Sequence, residues 1–98
     1  MSIAATTWAM QQRVGDAGRK LVLIAMAQLA DSRHRAYPGV RYLADITEQT
    51  EEAVRLALHA LIDAGLIGDT GDRNGRHRRA VVWHLAVDGP VRHWADPV

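Results

Sequence analysis

Apolar residues recur at helical spacing through the first two thirds of this chain and then switch to alternation. Residues 3–14 hold Ile3, Trp8, Met10 and Val14 among small and polar neighbours, which predicts a short helix or an extended arm. Asp16 is placed to cap a helix that starts near Ala17. From Arg19 to Ala30 that helix is apolar on nearly every side, so it is expected at the centre of the fold, covered all round, and to end near Asp31. Ser32–Tyr37 reads as a basic loop, and Pro38 holds it extended or turned. A second helix is expected over Val40–Thr47, with Gly39 as N-cap and Val40, Leu43, Ala44 and Ile46 as its apolar positions.

The segment Thr47-Glu48-Gln49-Thr50 is a turn, and Thr50 caps a third helix over Glu51–Ala64. Val54, Leu58, Leu61 and Ile62 form its buried stripe, flanked by Ala53, Ala57 and Ala64. Glu51 and Glu52 lie in its first turn, where the helix dipole favours acid. Gly65 ends the helix in the left-handed conformation, with Leu66 as the closing apolar contact. Leu66–Thr70 then reads as a strand, Asp72-Arg73-Asn74-Gly75 as a hairpin turn, and Arg79–Val87 as the returning strand. On that strand Val81, Trp83, Leu85 and Val87 alternate with Val82, His84 and Ala86. The expected organisation is one domain over 1–98: an arm at 1–15, a core at 17–87 and a loose tail at 88–98 in which Trp94 has no evident place.

Length and composition narrow this picture. The 98 residues, 48% of them hydrophobic, suit one folded domain with a modest core that gains from a partner. The absence of cysteine excludes disulfides and thiolate zinc sites and fits a reducing cytoplasm. The longest apolar run, Leu21–Ala27, is too short to span a bilayer, and the first residues lack a signal-type apolar core. Net charge is only +1, but its distribution is uneven. Bases Arg13, Arg19, Lys20, Arg33, Arg35 and Arg41 precede a stretch in which Asp45, Glu48, Glu51, Glu52 and Asp63 face Arg55 alone. Arg73, Arg76, Arg78 and Arg79 then crowd the hairpin.

Three helices followed by a two-stranded hairpin is the order of a winged helix, mainly α with a β wing. Leu43-Ala44, the T-x-x-T turn, Val54 and Ala64-Gly65-Leu66-Ile67 before a basic hairpin resemble that superfamily. With Lys20-Leu21-Val22-Leu23 and Ala36-Tyr37-Pro38-Gly39, the chain is most similar to helix-turn-helix domains of phage and plasmid replication initiators and small phage regulators, over about residues 17–87. Two positions depart from the family. Glu48 stands where its turns usually carry glycine, and Gln49 where they carry an apolar residue. Keeping a positive φ at Glu48 costs on the order of 1 kcal/mol, so an altered turn is the expectation.

The resemblance implies DNA binding. The third helix of a winged helix usually enters the major groove, and its outward positions here are Thr50, Glu51, Glu52, Arg55, Leu56 and His59. Arg55 suits a guanine edge, and a glutamate can accept from cytosine N4. Most nonspecific affinity is phosphate neutralisation, so it has to come from elsewhere. Arg73, Arg76, His77, Arg78 and Arg79 of the wing, with Arg41, Arg33 and Arg35, are the candidates. The bland reading of these arginines is a solvated face paired with nearby acids, and that of Glu51 and Glu52 is helix-start stabilisation.

Two functions follow. The first is sequence-specific binding of double-stranded DNA by a homodimer on a palindrome, as a transcriptional regulator or replication-associated factor of phage or plasmid type. The second is a protein-interaction module that presents Glu48, Glu51, Glu52 and Leu56 to a basic partner, as an inhibitor or adaptor does. No cofactor is expected. His34, His59, His77, His84 and His93 form no metal-ligand spacing, and no catalytic constellation is evident, so an enzyme is not expected. Asp69 and Asp72 read as turn formers, and Trp8 and Trp83 as core or dimer contacts.

Overall fold

A computed structural model describes residues 3–75 and 80–89. Its element order is α1 (Ile3–Gln11), α2 (Ala17–Leu29), β1 (Arg35–Ala36), α3 (Val40–Thr47), α4 (Glu51–Asp63), β2 (Ile67–Asn74) and β3 (Ala80–Leu85). This is a winged helix-turn-helix with one helix and one strand more than the three-helix, two-stranded expectation.

The first addition is α1. Ala5 and Ala9 lie four residues apart and are fully buried, so the helix packs closely on α2 through small side chains. Its C-terminal end is held from α2. The Lys20 ammonium donates to Met10 O at 2.6 Å and to Gln12 O, and Arg19 Nη1 donates to Val14 O at 2.7 Å. Two bases from the basic third of the chain therefore serve orphan helix-end and loop carbonyls.

Asp16 caps α2 as expected, accepting from the Arg19 N–H at 2.9 Å. Val22, Leu23, Met26 and Ala27 have no exposure, and α2 contacts α1, α3, α4 and β1. The helix is not covered all round, however. Leu21 and Leu29 are 44% and 41% exposed. In α3, Leu43 and Ala44 face inward as expected, but Ile46 is exposed and Thr47 takes the core position. Residues 40, 43, 44 and 47 share one helical face, and Ile46 falls off it. Thr47 tolerates burial because its hydroxyl donates to Leu43 O at 2.6 Å.

The α3–α4 turn keeps the geometry that Glu48 was expected to disturb. Glu48 sits at φ 56° and ψ 44°, in the left-handed region, and closes α3 through its N–H. Gln49 N donates to Ala44 O at 3.0 Å. Thr50 caps α4 by accepting from Ala53 N at 3.0 Å. At the far end Gly65, at φ 75°, lets Leu66 N reach Leu61 O at 3.0 Å, the 6→1 bond of a Schellman ending.

The second addition is β1, in the segment read as a basic loop. Asp31 organises that segment: its carboxylate accepts from Arg33 N at 2.8 Å and Arg35 N at 3.0 Å. His34 takes φ 60°, and β1 pairs antiparallel with β3, giving the order β1-β3-β2. The register is Arg35↔His84 and Ala36↔Trp83 on one side of β3, and Ile67↔Leu85 and Asp69↔Trp83 on the other. Farther out it slips. Asp69 to Arg73 on β2 spans only Trp83 to Val81 on β3, so β2 carries a bulge. Gly71 provides its positive φ of 87°. Asp69 accepts from Gly71 N at 2.8 Å, and Thr70 Oγ1 donates to Val82 O at 2.7 Å. Strand β2 thus runs through Arg73 and Asn74, beyond the expected end at Thr70. Trp83 and Leu85 enter the core, with Val81 and Val87 packed beside them, as the alternation requires. Val82, on the other face, is buried too.

Glu48→Gly is expected to stabilise the domain by about 1 kcal/mol, because glycine meets a left-handed turn without a Cβ penalty. Urea unfolding measures it; a lower midpoint for the variant would show that the Glu48 side chain contributes more than its backbone costs.

Candidate nucleic-acid interface

The outward face of α4 is as the helical period requires. Thr50, Glu51, Glu52, Arg55, Leu56 and His59 are all exposed, opposite the buried Val54, Ala57, Leu58 and Leu61. Arg55 is engaged within this face: its Nη2 lies 3.3 Å from Glu51 Oε1. Such an exposed i,i+4 pair is worth only a few tenths of a kcal/mol, ~0.3–0.5, so a base edge or phosphate competes with it readily. Asp45, Glu48 and Glu52 are exposed and make no salt bridge among the described residues.

The expected phosphate-binding residues divide into three groups. Arg33 and Arg41 are exposed and form no salt bridge among the described residues, so their charge is available. Arg35 and Arg73 are half-buried and internally engaged. Arg73 forks onto Asp69, with Nη1 at 3.0 Å and Nη2 at 3.2 Å, a bidentate pairing across the bulge. Arg35 lies 3.9 Å from Asp31 and 3.9 Å from Asp72, joining the loop before α3 to the wing. For Arg35 and Arg73 the bland reading, pairing with local acids, describes the geometry; Asp69 and Asp72 are wing-building residues. Arg76, His77, Arg78 and Arg79, expected from the sequence to crowd the hairpin, lie outside the described residues, as do His93 and Trp94.

Sequence reasoning missed an aromatic element beside Arg41. Tyr37 and Tyr42, each about half exposed, line a cleft of about 240 Å³ with Leu29 and Pro38. The signal was present in Tyr37-Pro38 and in Tyr42 next to Arg41. It lacked a periodic context, because Tyr42 lies off the buried face of α3.

The base of the wing holds a titratable cluster. His34 Nε2 lies 3.1 Å from Asp88 Oδ2, and its buried Nδ1 has no hydrogen-bond partner. His84 is held below its ordinary value by burial first, then by the neighbouring His34 and Arg35, with Asp88 and Asp31 pulling the other way. For Asp31 burial pushes the carboxyl up, but the Arg35 and Arg33 N–H groups and then their guanidinium charges outweigh it and leave it below its ordinary value. Among the described residues no group of three or more His, Cys, Asp or Glu side chains is arranged to hold a metal ion.

A left-handed α3–α4 turn, a capped α4 with its polar face outward and a hairpin wing define the class: a winged helix-turn-helix of the DNA-binding type. The chain belongs to a helix-turn-helix domain family, which matches residues 17–67. That match covers α2 through the start of β2. No curated protein and no solved structure matches the chain. No helix among the described residues is long and apolar enough to cross a membrane.

The two titrating groups give separable pH windows. A depressed histidine pKa means that the unfolded chain takes up a proton the folded chain refuses. Stability is therefore complete above the ordinary value of 6.5 and declines as pH falls below it. The Asp31 contribution is lost only at lower pH, as its carboxylate protonates below 3.8. His84→Gln is expected to flatten the first decline in a thermal-midpoint profile and leave the second. An unchanged slope below pH 6.5 would remove His84 as its source.

Proposed function

We propose that this protein binds double-stranded DNA sequence-specifically, as a small regulator or replication-associated factor of phage or plasmid type. We further propose that it acts in the cytoplasm as a homodimer, by binding rather than by catalysis. The observation that carries the reading is the α3–α4 unit. Despite Glu48 and Gln49 it keeps the left-handed turn that aims a capped helix outward. In this reading α4 discriminates between sequences through Arg55, with Thr50, Glu51, Glu52 and His59 around it. Affinity comes from Arg33 before α3, from Arg41 in its first turn, and from Arg76, Arg78 and Arg79. Dimer contacts come from exposed apolar residues such as Ile3 and Met10 of α1, an element with no charged side chain to repel its own copy.

The test is an anisotropy titration against duplexes selected from a randomised pool and against random duplex, at two salt concentrations. Arg41→Ala is expected to weaken binding to every duplex and to lower the slope of log affinity against log salt by about 0.9, one phosphate contact. Arg55→Ala is expected to narrow the gap between selected and random duplex instead. Binding that ignores salt and both substitutions sinks the proposal.

A second reading keeps the same fold and exchanges the partner. Asp45, Glu48 and Glu52 present exposed carboxylates without salt-bridge partners among the described residues, and Leu56 is 64% exposed beside them. That face suits a basic protein surface. The double substitution Glu51→Lys with Glu52→Lys separates the readings. It should raise affinity for random duplex if α4 faces DNA, and abolish partner capture in a pull-down if it faces protein.

A further inference from the structure

Gly18 is a misfit by local rules. It lies in the first turn of α2, with ordinary helical backbone, where alanine is the better helix former. A close approach explains it. A Cβ at Gly18 would fall far inside van der Waals contact with Gln49 Oε1, 3.2 Å from Gln49 Cδ and 3.3 Å from Oδ2 of the capping Asp16. The Gln49 side chain occupies that space and donates from Nε2 to Gly18 O at 3.2 Å, across 31 residues of sequence. Gly18 O lies near the start of α2, and the donor comes from the last residue before the α4 cap.

We infer that Gln49 and Gly18 are a matched pair that fixes the aim of α4 relative to α2, Gln49 being a positioning residue for sequence discrimination. This rests on the DNA-binding reading. An apolar residue at 49 would hold the turn by packing alone, whose energy varies gently with rotation. A hydrogen bond to a backbone carbonyl seated in a glycine slot is directional. It sets the rotation of the turn about α2, and hence where Thr50, Glu51 and Arg55 point. The contact atoms on Gln49 are the free end of a flexible side chain. Adding a methyl at Gly18 therefore expels Gln49 rather than breaking the core, and the turn loses its tether while the helices stay folded.

The experiment uses the full chain with Gly18→Ala, Gln49→Ala, Gln49→Met and the double variant Gly18→Ala with Gln49→Ala. Circular dichroism confirms folding. Amide hydrogen exchange at Glu48 and Gln49 reads the turn without DNA. Affinities for a duplex selected in vitro against the wild-type protein, and for its shuffled version, read the aim of α4.

Gly18→Ala is expected to keep the helices, to lower protection of the two turn amides, and to reduce the selected-over-shuffled ratio by about tenfold, the discrimination one well-placed base contact supplies. A merely structural loss would lower both affinities together and leave the ratio unchanged. Gln49→Met, close in length but without the donor, should behave as Gln49→Ala does. In the Gln49→Ala background the added methyl meets only the capping Asp16 carboxylate and should lower discrimination no further. Wild-type protection and discrimination in Gly18→Ala would overturn the inference, as would additive losses in the double variant. If the wild-type protein distinguishes no duplex from another, the DNA reading fails by itself. The exchange arm then still decides the pair, because turn amides that stay protected in Gly18→Ala overturn it.

Discussion

The burial of α2 is the constraint on which the remaining structure depends. Val22, Leu23, Met26 and Ala27 are withdrawn from solvent because α1, α3, α4 and β1 all pack against that helix. A small domain has little spare apolar area, so each of these contacts is needed to offset the entropy of ordering the chain. The polar links lead back to the same helix. Lys20 and Arg19 hold the end of α1 and the loop after it, and Gly18 receives Gln49 from the turn. The angle at which α4 is displayed is therefore a property of α2 as much as of the helix-turn-helix itself.

Much of this was legible in the sequence, and the failures have identifiable causes. The limits of α2, α3 and α4 followed from Asp16, Thr50, Gly65 and the apolar period, because capping and periodicity are local and of the same sign as the tertiary packing. Strand β1 was not legible. A two-residue strand has no alternation to read and exists through its pairing with β3 and the Asp31 carboxylate beneath it. The exchange of Ile46 for Thr47 was missed because hydropathy ranks the two residues against the geometry of the helix. A threonine that donates to its own helix removes the cost that ranking assumes. The bulge in β2 was hidden because Gly71 and Asp72 read equally well as the start of a turn.

For the candidate site, residue order reveals which side chains face outward but not what they touch. Helical spacing alone exposes Glu51, Glu52, Arg55 and His59. Whether an arginine is free or engaged depends on acids that are distant or only incidentally near in sequence. Arg35 and Arg73 look identical to Arg33 and Arg41 until Asp72 and Asp69 are placed beside them. Glu48 illustrates the reverse error. A residue that resists the left-handed region was expected to bend the turn, yet the packing on both sides of it outweighs a local penalty of about 1 kcal/mol.

The sheet order has a consequence for the behaviour of the protein at high concentration. Strand β3, the most apolar of the three, lies in the middle with both of its edges paired. Of the outer strands, β1 is only two residues long, and β2 is broken by the Gly71 bulge and carries Asp69, Asp72 and Arg73. Neither offers a long, flat, uncharged edge on which a second chain could extend the sheet, the usual template for aggregation. A bulge that shapes the wing thus also keeps crowded molecules from stacking strand to strand.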